Sequence, residues 1–104
     1  MKKIFISAFA LLALTTFAAE KPDWAQLGRY TYQNAQLENA PDVVFMGNSI
    51  TDCWADTVPE FFEENNYAGR GISGQVSSQM LVRFRQDVID LKPKAVVILA
   101  GAND

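Results

Sequence analysis

The chain has 104 residues, of which 49% are hydrophobic and 20% charged, and these proportions exclude an intrinsically disordered segment. Twelve acidic residues outnumber nine Lys and Arg, so the net charge of −3 offers nucleic acid no basic surface. The sequence contains no histidine, which excludes a His-ligated metal site and a His general base within these residues. Its single cysteine excludes an internal disulfide and a CxxC zinc or redox motif.

The first residues have the layout of a secretory signal peptide. Two lysines precede an apolar run over 4–14, and small residues follow up to Ala19. The apolar run is shorter than the about 20 residues that span a bilayer, so we expect no stable membrane anchor. We therefore expect residues 1–19 to direct export to the periplasm or the exterior, and residues 20–104 to form the folded domain.

The elements after this leader begin with a helix and a strand. Asp23 is placed to cap a first helix, whose apolar residues recur at helical spacing until Pro41 stops it. The continuous apolar run Asp42–Gly47 predicts a strand buried on both faces, as in parallel sheets. The segment 58–65 predicts a short helix with three glutamates, and 66–71 predicts a brief second strand.

A longer amphipathic helix and a third strand complete the pattern. Ser77 or Ser78 is expected to cap the helix, and Lys92–Pro93 ends it because proline cannot continue the hydrogen-bond ladder. The buried face is predicted to carry Met80, Leu81, Phe84, Val88 and Leu91. The outer face is predicted to carry Arg83, Gln86, Asp87 and Asp90. The β-branched run 94–101 predicts another buried strand.

Alternation of helices and strands predicts the α/β class, with a parallel sheet and right-handed crossovers. In open parallel sheets, reactive groups gather at the carboxyl ends of the strands. Three segments follow the predicted strands and occupy this position: 47–52, 71–75 and 101–104. Together they contain a hydroxyl, a flexible backbone N–H and a carboxamide. The hydroxyl can serve as a nucleophile, and the two N–H donors can form a pocket that stabilises an anion.

Three short blocks of this sequence, Val43–Ile50, Gly71–Gly74 and Gly101–Asp104, resemble the first three sequence blocks of the SGNH, or GDSL-like, hydrolases in order and spacing. The likeness spans residues 42–104. It implies a three-layer, flavodoxin-like α/β sandwich with a parallel sheet, here truncated after the third strand. It also implies ester hydrolysis through a serine acyl-enzyme, with no metal or organic cofactor.

The resemblance also implies roles for individual residues. Ser49 is the expected nucleophile, and its own N–H, the N–H of Gly74 and the side-chain amide of Asn103 form the expected oxyanion hole. Preorganised donors of this kind are each worth roughly 10²–10³ in rate. Asn48 stands where the family usually has Asp, and an Asn makes similar local turn hydrogen bonds. The implied substrate is a small-molecule or carbohydrate ester, such as an O-acetyl or other short-acyl ester of the kind that suits an exported member. These residues do not choose between such esters and lipid esters.

The family takes its general-base histidine, with an Asp three residues earlier, from a block near the C-terminus, and this chain has no histidine. A serine hydroxyl without a partner base is a poor nucleophile at neutral pH. We therefore expect these residues to be the N-terminal part of a longer enzyme and to be essentially inactive alone. The alternative is a non-catalytic module that uses the same fold to bind a carbohydrate or a protein.

Several other residues have structural interpretations. We expect Cys53 to be a small buried hydrophobe, Asp52 a helix cap, Trp54 a core residue and Arg70 a solvated arginine. The alternatives are that Asp52 and Trp54 line the acyl pocket and that Arg70 binds an anionic group of the substrate. The segment Gly69–Gly74 satisfies the GxGxxG pattern of dinucleotide sites. A poor strand precedes it and it belongs to the second β/α unit, so nucleotide binding is not expected.

Overall fold

A computed structural model describes residues 22–104, and the predicted leader over 1–19 lies outside this part of the chain. The helices are α1 (Thr31–Gln36), α2 (Ser49–Thr57), α3 (Pro59–Glu64), α4 (Ser77–Asp87) and a 3₁₀ turn (Ile89–Leu91). The strands are β1 (Val43–Gly47), β2 (Tyr67–Gly71) and β3 (Ala95–Leu99). None of the helices in residues 22–104 combines the length and the apolar character that crossing a bilayer requires.

The three strands form one parallel sheet in the order β2-β1-β3. Val43 at the start of β1 lies opposite Tyr67 and Ala95, and Gly47 at its end lies opposite Gly71 and Leu99. All three strands therefore end at the same edge of the sheet. The predicted α/β class is confirmed, with a sheet order that matches a flavodoxin-like fold.

Helices cover both faces of the sheet and make three layers. On one face Val44 and Met46 are buried against Met80 and Val88, on and just after α4. On the other face Phe45 is the centre of an aromatic cluster that α2, α3 and β2 complete. Its ring centroids lie 5.3–6.2 Å from those of Trp54, Phe61, Phe62 and Tyr67. Trp54 packs in this cluster but is not the core residue that was predicted, since 38% of its surface is exposed.

The first helix is shorter than predicted. Only Thr31–Gln36 is helical, and the chain from Asp23 to Tyr30 forms turns. Gln26 has a positive φ of 55°, which a right-handed helix cannot contain. The Asp23 carboxylate accepts hydrogen bonds from the N–H groups of Leu27 (2.9 Å) and Gly28 (3.0 Å), so it closes these turns instead of capping a helix.

Two helices connect β1 and β2 where the sequence predicted one. The predicted helix over 58–65 is confirmed as α3, but the residues after β1 also form a helix, α2. Asn48 is its N-cap, and its side-chain oxygen accepts a hydrogen bond from the N–H of Ile50 at 3.1 Å. The cap residue expected in this segment, Asp52, lies inside the first turn instead.

Neither serine caps α4. The N-cap is Val76, whose N–H donates to the Gln79 side-chain oxygen at 3.0 Å. Ser77 is the first helical residue, and its hydroxyl donates to the Asp104 carboxylate. The prediction of a serine cap was wrong because the third loop supplies a carboxylate to the same helix terminus.

The predicted faces of α4 were wrong at three positions. Leu81 is 75% exposed, whereas Arg83 and Asp87 are completely buried. The two charged side chains lie one turn apart and form an ion pair of 3.2 Å, so each offsets the burial of the other. The α-helix ends at Asp87, earlier than the predicted end at Lys92–Pro93. A separate 3₁₀ turn follows and ends at Lys92, which is in the left-handed conformation.

The third strand lies in the predicted place but is not buried. Val97, Ile98 and Leu99 are 47%, 54% and 43% exposed, and Val96 alone packs against the core. Within residues 22–104, β3 pairs with β1 on one side and with no strand on the other. The strand is therefore exposed because no other described element lies beside it.

Candidate active site

Two glycines set the position of α2 at the ends of β1 and β2. A Cβ atom on Gly71 would lie 2.3 Å from the backbone nitrogen of Asp52, and one on Gly47 would lie 2.2 Å from the Thr51 hydroxyl oxygen. Both distances are shorter than any real contact of a Cβ atom, so only glycine allows α2 to lie this close to the sheet. The first turn of α2 is thereby held directly on the carboxyl ends of two strands.

Ser49 is the first residue of α2 and is half-buried. The first turn of a helix has backbone N–H groups without intrahelical partners, and the helix dipole is positive there. Asn48 is buried, with 2% of its surface exposed, and its side chain caps the helix. The Asn that replaces the family's usual Asp therefore still orders the turn that presents Ser49.

The second loop is bonded to the first at three points. The N–H of Ile72 donates to the Gly47 carbonyl at 3.0 Å. The N–H and the hydroxyl of Ser73 both donate to one oxygen of Asp52, each at 3.0 Å. Gly74 follows with φ = 80° and is exposed, so the turn requires a left-handed residue at this point.

The third loop is bonded to the second and to α4. The Asn103 side-chain amide donates to the Gln75 carbonyl at 3.0 Å, one residue after Gly74. The Asp104 carboxylate accepts from the N–H of Ser77 at 2.7 Å and from its hydroxyl at 2.6 Å. These bonds from Ser77, first from its hydroxyl and then from its N–H, lower the pKa of Asp104 below its ordinary value of 3.8.

Hydrogen bonds therefore connect the three loops in series at one edge of the sheet. The predicted residues Ser49, Gly74 and Asn103 each lie on one of these loops, at the end of β1, β2 and β3 respectively. A side-chain amide has two N–H donors, so the bond from Asn103 to Gln75 leaves one donor for a substrate oxygen. The arrangement offers a hydroxyl at a helix N-terminus on the first loop, and neutral donors on the two loops that are bonded in series to it.

Asp52 is the residue of this edge whose part sequence reasoning missed. Besides its bonds to Ser73, its other carboxylate oxygen forms an ion pair with Arg29 at 3.3 Å. It thus joins the first two loops to the turns that precede α1. Local sequence patterns carried no signal for these contacts, because Arg29 and Ser73 lie 23 and 21 residues away from Asp52 in the chain.

Two other single-residue expectations were wrong. Cys53, next to Asp52 on α2, is exposed instead of buried. Arg70 is 5% exposed instead of solvated, and its Nε donates to Asn34 Oδ1 at 2.8 Å. Its guanidinium lies 4.9 Å from the centroid of the Tyr30 ring, and burial lowers its pKa from the ordinary value.

The GxGxxG pattern does not have the local backbone geometry of a dinucleotide fingerprint. Gly69 and Gly71 lie inside β2, and the next helix begins at Ser77, several residues beyond the pattern. The fingerprint requires the glycines to form the turn that leads directly from a strand into a helix.

The fold and the site together define an α/β protein with a flavodoxin-like sheet, whose polar loops meet at the carboxyl edge. No family model and no curated protein matches the chain. Among solved structures, it is similar to a candidate acylhydrolase from Bacteroides fragilis NCTC 9343, with 58% identity over 80% of this chain and a TM-score of 0.74. It is also similar to a GDSL-like lipase from Bacteroides thetaiotaomicron VPI-5482, with 53% identity over 78% of this chain and a TM-score of 0.74.

The chain belongs to the SGNH, or GDSL-like, hydrolase family. It spans 42% of the length of each of these two relatives.

Proposed function

We propose that this chain forms part of an exported enzyme that hydrolyses carboxylic esters through an acyl-enzyme on Ser49. The observation that carries the proposal is the hydrogen bond from the Asn103 amide to Gln75, which seats the third loop beside Gly74. A second bond, from Ile72 to Gly47, joins Gly74's loop to the turn before Ser49. The names of the two relatives, an acylhydrolase and a lipase, support the same reaction class.

In the proposed reaction the Ser49 oxygen attacks the ester carbonyl while a base takes its proton. The N–H groups of Ser49 and Gly74 and the Asn103 amide donate to the oxyanion, which collapses as the alcohol leaves with a proton. Water then attacks the acyl-enzyme and releases the acid. Since this chain has no histidine, the proposed base is a histidine from the part of the family's length that the chain does not span.

The proposed substrates are short-acyl esters of small molecules or carbohydrates, O-acetyl groups included. The leader pattern over 1–19, with its lysines and short apolar run, supports export and therefore an extracellular or periplasmic substrate.

A chimera tests the proposal. Residues 22–104 are joined to the remaining part of the Bacteroides fragilis relative, which is 58% identical where the two chains match. We expect this protein to hydrolyse p-nitrophenyl acetate, and we expect Ser49→Ala to reduce kcat by about 10³-fold or more because the nucleophile is lost.

Ser78→Ala is the matched control, because Ser78 is an exposed serine on α4 and belongs to none of the three loops. Its rate is expected to equal that of the parent chimera. Full turnover in Ser49→Ala would contradict the acyl-enzyme proposal and favour the non-catalytic binding module.

A further inference from the structure

Arg83 is the largest side chain in the described residues that is fully buried, and Asp87 one helical turn later is buried as completely. Both lie on α4, beneath the edge of the sheet where the three loops meet. A buried ion pair often contributes less to stability than apolar residues of the same volume would.

The Arg83 guanidinium makes three hydrogen bonds to three different parts of the chain. Its Nε donates to the Gln75 side-chain oxygen at 2.6 Å, and Nη2 donates to the Gly47 carbonyl at 3.2 Å. Nη1 donates to Asp87 at 3.2 Å. Gly47 lies two residues before Ser49, and Gln75 follows Gly74. One planar group is therefore bonded to both loops that carry the proposed nucleophile and oxyanion donor.

The connection continues to the third loop through Gln75. The backbone carbonyl of Gln75 accepts the Asn103 amide at 3.0 Å, while its own side-chain amide donates to the Ala25 carbonyl at 2.7 Å. Gln75 is 1% exposed, so its side chain has no water to replace these partners. Asp87 is held in turn by the Asn34 amide at 2.8 Å.

We infer that Arg83, oriented by Asp87, is a positioning residue that sets the distance between the Ser49 turn and the Gly74–Asn103 donors. The inference rests on the proposed function. This role requires the rigid, planar guanidinium group, because its three nitrogens donate to three separate acceptors. A lysine in the same place keeps the charge, but its three N–H donors share one nitrogen. It therefore cannot reach three acceptors that contact three different nitrogens of the guanidinium.

The test compares Arg83→Lys with Arg85→Lys in the chimera. Arg85 lies on the same helix but is exposed, so it controls for a lost guanidinium on α4. We expect Arg83→Lys to reduce kcat for p-nitrophenyl acetate by about 10²-fold with little change in KM, because a displacement of about 1 Å at the reacting groups has an effect of this size. Arg85→Lys is expected to stay within about twofold of the parent.

Gln75→Met is a second variant, of similar volume, that leaves the ion pair in place and removes both side-chain bonds of Gln75, the one from Arg83 and the one to Ala25. The same loss of kcat is expected. A parent-like kcat in either Arg83→Lys or Gln75→Met would overturn the positioning role. If these variants keep their activity while Ser49→Ala loses it, the positioning role is contradicted and the proposed function still holds. If Ser49→Ala itself keeps full activity, the proposed function fails.

A second test does not depend on enzymatic activity. It measures the NMR spectrum of the 104-residue chain labelled with ¹⁵N. We expect Arg83→Lys to shift the backbone amide resonances of Ser49 and Gly74 and the side-chain amide resonances of Asn103, and we expect Arg85→Lys to leave them in place. A general loss of stability changes the folded population but does not move these resonances selectively. Unchanged resonances in Arg83→Lys, or loss of the folded spectrum with no selective shift, would overturn the inference.

Discussion

At the residue scale, the Asp104 carboxylate shows how a single side chain joins a loop to a helix. It accepts the N–H and the hydroxyl of Ser77 at the start of α4, where the helix dipole also favours a negative charge. This contact holds the residue next to Asn103, and it explains why the pKa of Asp104 lies below 3.8. The carboxylate therefore accepts hydrogen bonds at the N-terminus of α4, and the same bonds hold the third loop in place.

A pH titration checks this contact. Because the pKa of Asp104 is lower in the folded than in the unfolded chain, its stabilisation is present above about pH 3.8 and is lost as the pH falls through the folded pKa. We expect the ¹³C resonance of the Asp104 carboxyl to titrate below 3.8, and we expect Ser77→Ala to raise that pKa toward 3.8. Ser78→Ala should leave the pKa unchanged, and an ordinary pKa in the unmodified chain would contradict the contact.

At the element scale, close contact between α2 and the sheet determines where the candidate nucleophile lies. The glycines at the ends of β1 and β2 leave no room for a Cβ atom beneath the first turn of the helix. Any side chain there has to displace the backbone of α2, because the obstructing atom at Gly71 is the Asp52 nitrogen. The position of Ser49 thus depends on two residues that have no side chain of their own.

Substitution of Gly71 measures this dependence. We expect Gly71→Ala to lower the free energy of unfolding by about 1–3 kcal/mol, the usual effect of inserting a methyl group where there is no space. Gly28→Ala is the control, because a Cβ at Gly28 would meet only the Asp23 carboxylate at an ordinary 3.6 Å. Its effect should stay within about 0.5 kcal/mol. Urea unfolding gives both values, and equal losses would show that close packing at Gly71 is not the cause.

At the scale of the whole molecule, strand β3 at the edge of the sheet is the main place where apolar side chains of the described residues remain exposed. Val97, Ile98 and Leu99 expose between 43% and 54% of their surface, and within residues 22–104 the strand has a partner on one side only. An exposed apolar edge with free N–H and C=O groups is a template for pairing with another chain. The 104-residue chain is therefore expected to self-associate through this strand.

Sedimentation velocity over a range of micromolar concentrations tests the association. We expect Val97→Lys to shift the chain toward the monomer, since a lysine on an edge strand opposes pairing. Val82→Lys is the control, because Val82 on α4 is 52% exposed, close to the 47% of Val97, but does not lie on a strand edge. Equal effects of the two substitutions, or a monomer at every concentration, would contradict an edge-specific association.

The alternation of elements and the location of the site were predictable from short stretches of sequence. The strands over 42–47 and 94–101 were located by continuous apolar runs, because burial in a parallel sheet needs apolar residues on both faces, whereas the glycine-containing segment 66–71 gave only a weak strand signal. The three loops follow from those strands, since parallel strands end at one edge. Helix α2 was missed because Asn48, its cap, also fits the turn that a glycine-bounded loop would form.

The amino-acid sequence by itself determined the α/β class, the order of the strands and the three loops on which Ser49, Gly74 and Asn103 lie. These follow from periodicity and from local blocks of residues, which depend on near neighbours in the chain. Only the tertiary structure decided that Arg83 and Asp87 are buried, that Asp104 caps α4 and that β3 is exposed. Each of these outcomes depends on partners far along the chain, and the burial of a charge is set by whether such partners satisfy it.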